Sequence, residues 1–217
     1  MSAPGSTLAT LLGCALIVCS TACSTARQSH SAPKANTPLI ESGLLEAAGL
    51  AFLTPVAGSG NEEDKNALAL VFADVLANAR PQVRIVPLAQ TLGAVNRAGF
   101  GRQYQKMYEG FRGAGVLDRD TLARLRGLTG ARYFALLQLS DFRRELVVGP
   151  SLLGIQMRSA QSAHIRLFLQ IWDSSDGIIV WEGINEVTFR DESPGGRGVT
   201  FSAIVERAAR ELIAQLP

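Results

Sequence analysis

The side chains able to do chemistry are few and scattered. His164 is the sole histidine in the stretch that reads as folded; the other, His30, sits in a polar N-terminal segment and reads as a solvated residue. A histidine base needs a nucleophile beside it, and Ser140, Ser162 and Ser202 are the candidates, but none lies in a Gly-x-Ser-x-Gly elbow. Zinc would need further nitrogen or sulfur ligands around His164, which opens a regular strand. Asp173 and Asp176 flank Ser174 and Ser175 and provide fewer oxygens than the roughly six to eight that calcium takes. Asp141 with Glu145, or Glu182 with Glu186, has the form of a glycosidase pair. The second pair falls on one face of a strand and reads as a solvated edge, as Arg143 and Arg144 read as surface rather than a phosphate clamp. Gly58-Ser59-Gly60 stands where a phosphate-binding turn would stand, yet Glu62, Glu63 and Asp64 follow it and would repel the anion that a helix N-terminus otherwise attracts. Trp172 and Trp181 would form a stacking platform or an interaction surface, or else pack on each other or on a neighbouring subunit. No catalytic, cofactor or metal residue is assigned on this basis, and the two tryptophans are the candidate interaction surface.

The formal net charge of +2 over 217 residues argues against a nucleic-acid binder, which would show a concentrated basic patch. All three cysteines, Cys14, Cys19 and Cys23, lie near the N-terminus. Residues 1–22 contain no charged side chain, and Leu8 to Cys19 is apolar apart from Thr10 and Gly13. That run is shorter than the roughly 20 residues a bilayer span needs and fits the apolar region of a secretory leader. Ser20, Thr21 and Ala22 are small, as a peptidase site beside the cut requires, and Cys23 follows. The stretch resembles the lipobox of bacterial lipoprotein precursors, with Cys23 as the thiol that takes the diacylglycerol. Ser20 replaces the usual aliphatic residue, and the leader lacks a Lys or Arg. Two alternatives stay open: Leu11-Leu12-Gly13 before Cys14, and ordinary cleavage after Ala26. With residues 1–22 removed, the cleaved chain keeps one thiol, acylated, and its fold rests on its core alone.

The elements that must position any site begin beyond this leader. Residues 23–38 are rich in Ser, Thr, Ala and Pro, bury little, and read as a flexible tether. Residues 39–217 read as the folded domain. Ala48 to Val56 is a short buried strand. Glu62, Glu63 and Asp64 open a helix whose apolar face runs Leu68, Val71, Phe72, Val75, Leu76, Ala79, and Pro81 ends it. Val83 to Pro87 is a second strand and Leu88 to Ala98 a helix. Gln103 to Arg112 is a helix with Tyr104, Met107, Tyr108 and Phe111 on one stripe. Asp118 caps a helix that Gly130 stops, and Tyr133 to Phe142 is a strand. Arg143 to Ala163 reads either as a long loop or as a hairpin insertion. The period-two alternation from His164 to Trp172, the Asp173–Gly177 turn and the return strand to Phe189 make a hairpin. A glycine-rich loop, 193–198, leads to a helix with Phe201, Ile204, Val205, Ala208, Leu212, Ile213 and Leu216 on its apolar face. The order predicts an α/β fold: a single mixed sheet with an antiparallel C-terminal hairpin and helices packed on it.

The hairpin Leu169-Gln-Ile-Trp-Asp-Ser-Ser-Asp-Gly-Ile-Ile-Val-Trp181 resembles an element shared by a group of envelope lipoproteins. The group comprises the curli-secretion-channel lipoproteins, the lipoprotein activators of penicillin-binding proteins, and the N-terminal domain of the Tol translocation protein. The strands Leu50–Val56 and Val83–Pro87 and the Leu122–Leu139 helix–strand unit extend the resemblance over roughly residues 48–216. It implies a lipid-anchored α/β domain that assembles or regulates the envelope without catalysis. The membrane, through the anchor, and another envelope protein or a second copy of the chain are the implied partners; no cofactor is implied. Ser24 after the cysteine implies sorting to the outer membrane, facing the periplasm. A channel subunit is the alternative, although strands spanning an outer membrane need about 9–11 residues each and Arg143–Ala163 has room for one short hairpin. A hydrolase with an unrecognised site is the third reading.

Overall fold

The computed structural model describes residues 27–36, 39–57, 62–148, 151–152, 155–156, 159–191 and 200–217. The leader, Cys14, Cys23, Gly58-Ser59-Gly60 and the loop 193–198 lie outside these residues.

In chain order the strands are β1 (Arg27–Ser31), β2 (Lys34–Ala35), β3 (Leu50–Phe52), β4 (Val56–Ala57), β5 (Ile85–Val86), β6 (Tyr133–Val148), β7 (Ser151–Leu152), β8 (Ile155–Gln156), β9 (Ser159–Asp173) and β10 (Ile178–Asp191). The helices are α1 (Leu44–Ala48), α2 (Glu62–Ala79), α3 (Leu88–Arg97), α4 (Gly101–Ala114), α5 (Arg119–Thr129) and α6 (Phe201–Ile213). The main sheet runs β1-β10-β9-β6-β3-β5, with β2 also on β10 and β4 on β6. β3 lies parallel to β5 and β6, whereas β6, β9, β10 and β1 are antiparallel. The chain is thus an α/β protein with one mixed sheet and an antiparallel C-terminal hairpin, as its element order predicts.

Alternation along the strands sends side chains to two helical layers. Leu50, Phe52, Ala135, Leu137, Leu167, Leu169 and Ile171 face α1, α2 and α6 in one apolar cluster. Ala51, Leu53, Phe134, Leu136 and Trp172 face α3, α4 and α5 in the other. The helices present the stripes expected of them: Phe201, Ile204, Val205, Ala208, Leu212 and Ile213 of α6 are buried, as are Tyr104, Met107 and Phe111 of α4.

One open sequence reading is decided, in favour of its hairpin alternative, and another expectation changes. The ambiguous Arg143–Ala163 stretch continues β6 and β9, which pair as far as Val148 and Ser159, with β7 and β8 beyond. Leu146, Val147 and Val148 do not alternate, so periodicity gave no strand signal there; the pairing partner supplies it. Val147 and Val148 alone extend β6 past the row in which Leu146, Gln161 and Asp191 meet. The changed expectation concerns the tether. Residues 27–31 and 34–35 line the edge of β10, from Arg27 opposite Asp191 to Ala35 opposite Gly183. This edge run needs few apolar side chains, because the β10 edge offers backbone groups that would otherwise go unpaired. Ser31 Oγ lies 2.9 Å from Asn185 Oδ1 and donates its one proton within a group that includes Glu211, while the fully buried Asn185 donates to Glu211 Oε2 at 2.8 Å. These bonds tie the strand to α6 through polar groups that an apolar count passes over.

Candidate functional site

The residues first considered for chemistry are engaged elsewhere. His164 Nδ1 lies 3.0 Å from Thr188 Oγ1, and its Nε2 lies 3.5 Å from Glu186. Ser140 Oγ donates to the Arg166 carbonyl at 3.3 Å, and Ser202 is exposed on α6. Ser162 sits two residues from His164 on the same strand, opposite Glu145 and Arg190. Glu182 accepts from Gln170 at 2.7 Å and from Asn36 at 3.1 Å, in a polar ladder across the sheet. Asp141 pairs with Arg143 at 3.0 Å, while Glu145 and Arg144 are exposed.

Asp173 is committed to structure rather than to calcium. Its carboxylate accepts from Arg132 Nη2 at 2.6 Å and from the Ser175 N–H at 2.8 Å, while Asp176 is exposed. Burial pushes the Asp173 carboxyl up, but the bonds from Arg132 and Ser175 outweigh it and hold the group below the usual carboxylate range.

Trp172 and Trp181 are each 2 % exposed, so within this chain they form core and not an interaction surface. They also do not meet. Trp172 packs edge-on to Phe111 at 6.4 Å between sheet and α4, whereas Trp181 belongs to the opposite cluster. The cause is a register shift between Ile179 and Trp181. With Ile179 opposite Trp172 and Trp181 opposite Ile171, Val180 is the inserted residue, and it turns Trp181 to the other face of the sheet. Gly183 sits against the Trp181 indole where a Cβ would collide with Cη2.

The surface that stands out instead is a cleft of about 990 Å³ between α4 and α5, lined also by Gly177 of the β9–β10 turn. Phe100 and Val116 give it an apolar lining, and its charged residues are Lys106, Arg119 and Arg124 together with Asp118 and Asp120. Val116 is 57 % exposed, an aliphatic side chain left in water between Gly115 and Leu117.

Both walls are fixed. Asp118 caps α5, accepting from the Thr121 N–H at 2.8 Å and from Thr121 Oγ1 at 2.6 Å. The Thr121 hydroxyl, then its N–H, then the nearby Lys106 charge hold the Asp118 carboxyl below its ordinary value. Arg119 donates to the Ser175 carbonyl at 3.1 Å and Arg126 to Ser175 Oγ at 2.9 Å, which pins the hairpin turn to α5. On the other wall Tyr104 OH accepts from the Thr54 N–H at 3.0 Å, and Tyr108 OH donates to the Thr54 carbonyl at 2.8 Å. Burial keeps the Tyr108 phenol well above its usual pKa, hence neutral.

Sequence reasoning missed this cleft because charge was taken over the whole chain. From Leu88 to Thr129 there are seven Lys or Arg against three Asp or Glu. From Glu41 to Ala79 there are six Asp or Glu against a single Lys. Tallied by helical layer, the sequence would have pointed to α3–α5.

Three layers, helix, mixed sheet and helix, define the class as an α/β sandwich. No protein-family model and no curated protein matches the chain. Solved structures resemble it distantly. They include the PelC dodecamer of Paraburkholderia phytofirmans, at 11% identity and TM-score 0.47, covering 85% of this chain and 96% of that one. The LpoB C-terminal domain of Salmonella enterica follows at 16% identity and TM-score 0.40, covering 67% and 85%. Lipoprotein GNA1162 of Neisseria meningitidis has 16% identity and TM-score 0.38, covering 78% and 99%. Likenesses this distant carry nothing about what this chain binds or does.

Proposed function

We propose that the chain is a lipid-anchored protein of the bacterial envelope that acts without catalysis, by binding another envelope component through the α4–α5 cleft. The observation that carries this reading is the cleft itself: a concave surface with Phe100 and Val116 in its lining and Lys106 and Arg124 among the charged residues around them. Apolar centres with a polar rim are the usual anatomy of a protein-binding surface. His164, Asp173 and Glu182 are meanwhile held by structural partners.

The anchor is proposed from the leader, with residues 1–22 as the signal peptide and Cys23 as the acylated residue. The resemblance of the hairpin to envelope lipoproteins supports the same location, on the outer membrane and facing the periplasm. Because Arg27 is already paired with Asp191, a lipid on Cys23 would hold that end of the sheet within about 14 Å of the bilayer. The cleft would then point away from it. β6 runs from Phe134, under α3–α5, to Leu146, in the row nearest the anchor, a distance of about 40 Å at 3.3 Å per residue.

Two measurements test the reading. Cys23→Ala is expected to abolish fatty-acid labelling and to move the protein from the membrane to the soluble fraction. A photo-crosslinker replacing Val116 is expected to give discrete adducts in intact envelopes that Arg124→Glu removes. Label retained in Cys23→Ala, or adducts no stronger from Val116 than from the exposed Arg166 on the sheet, would contradict it.

A further inference from the structure

We infer that the partner taken by the α3–α5 layer is a second copy of this chain, which presents its α2 face there. The inference rests on the binding function proposed above and specifies its partner.

The two helical layers, on opposite sides of the sheet, each contain a segment of strong net charge, and the acidic one is followed directly by Arg80, which pairs with Glu46 at 3.5 Å. The α3–α5 segment is basic, seven cations to three carboxylates, while the segment from Glu41 through α2 is acidic, six carboxylates to one lysine. Each layer also leaves an aliphatic side chain in water among its charges. On α2, Leu70 is 62 % exposed, between Asn66 and the exposed Asp74 on the same helix face. On the other layer Val116 is 57 % exposed. An isolated exposed leucine needs no explanation. Leu70, with Asp74 one turn on, and Val116, with Lys106 and Arg124 in the same cleft, mark where segments of opposite net charge would meet.

One chain cannot bring the two surfaces together, because its own sheet separates them. Two copies can, basic layer to acidic layer. The contact is then heterologous: each copy uses both faces, and the series closes as a ring or continues as a filament. An anionic lipid surface would account for the basic layer alone, and that layer lies about 40 Å along β6 from the row that Arg27 joins. A second copy accounts for both layers.

Full-length protein purified in detergent provides the test, by sedimentation at low and high salt. The wild type should associate at low ionic strength and dissociate as salt screens the charges. Lys106→Glu with Arg124→Glu takes the α3–α5 segment from seven cations and three carboxylates to five of each, and Glu41→Lys with Asp74→Lys takes the acidic segment from six carboxylates and one lysine to four and three; these four positions are exposed, so the fold should survive. Each double variant alone should self-associate at least about tenfold more weakly. Mixed together, they should form a one-to-one complex, since one keeps the wild-type acidic face and the other the wild-type basic layer.

A wild type that stays monomeric at low salt overturns the inference, as does a mixture that fails to re-form the complex. Capture of a different envelope protein at Val116 by a monomeric wild type also overturns it, yet leaves the proposed function standing. Binding to anionic vesicles that is lost in Lys106→Glu/Arg124→Glu, with no self-association in detergent, overturns it in favour of lipid. Loss of fatty-acid labelling would break the anchor reading instead and leave the mixing experiment untouched.

Discussion

The two helical layers do different work on one sheet. On the α1–α2–α6 side the core is continuous: α6 buries Ile204, Val205, Ala208, Ala209, Leu212 and Ile213, α2 packs beside it, and Asn185, Glu211 and Ser31 lock the edge strand beneath. On the α3–α5 side the helices share a second apolar cluster, with α4 tied to Thr54 and α5 to the 173–177 turn, and a cleft remains between α4 and α5. The first layer is therefore the more continuously packed, and the second carries the cleft.

Substitutions along this division should fall in a definite order. Leu212→Ala, at a fully buried α6 position, should cost about 2–5 kcal/mol and lower Tm by about 10 °C, while the cleft stays intact below the melt; thermal circular dichroism is the check. Gly183→Ala should cost about 1–3 kcal/mol, since the new methyl meets the Trp181 ring against the same layer.

Arg132→Ala should cost about 1–3 kcal/mol at neutral pH by leaving the Asp173 carboxylate short of partners. Its pH dependence has a fixed sign. The folded-state pKa of Asp173 lies below the unfolded one, so its contribution is full above the ordinary carboxylate value and is lost as pH falls through the depressed value. The wild type should lose stability on that acid limb, and Arg132→Ala should flatten it in urea titrations run from neutral to acid pH. Asp118→Ala, which removes the α5 cap, should cost about 1 kcal/mol and loosen the cleft wall; exchange of the Thr121 amide would report it.

Much of the framework was legible in the sequence because its signals are local. The α2 stripe, the Asp118 cap, the Gly130 stop with φ of 71° and the turn at Asp173–Gly177 rest on neighbours a few residues apart. What was not legible depends on pairing at a distance. The inserted Val180 cannot be read from a period-two pattern, and it alone decides whether Trp172 and Trp181 share a face. The edge strand Arg27–Ser31 has the composition of a tether and becomes a strand through the free edge of β10 and the bonds of Ser31. The cleft depends on how far apart α4 and α5 are held, which no spacing within either helix encodes.

The division between layers is tested most directly by one paired measurement on Lys106→Glu/Arg124→Glu: thermal stability together with crosslinking from position 116 in intact envelopes. The account predicts a stability within about 0.5 kcal/mol of wild type, as for surface substitutions generally, and loss of the adducts. Adducts retained at wild-type yield, or a fall in stability as large as that of Leu212→Ala, would contradict it.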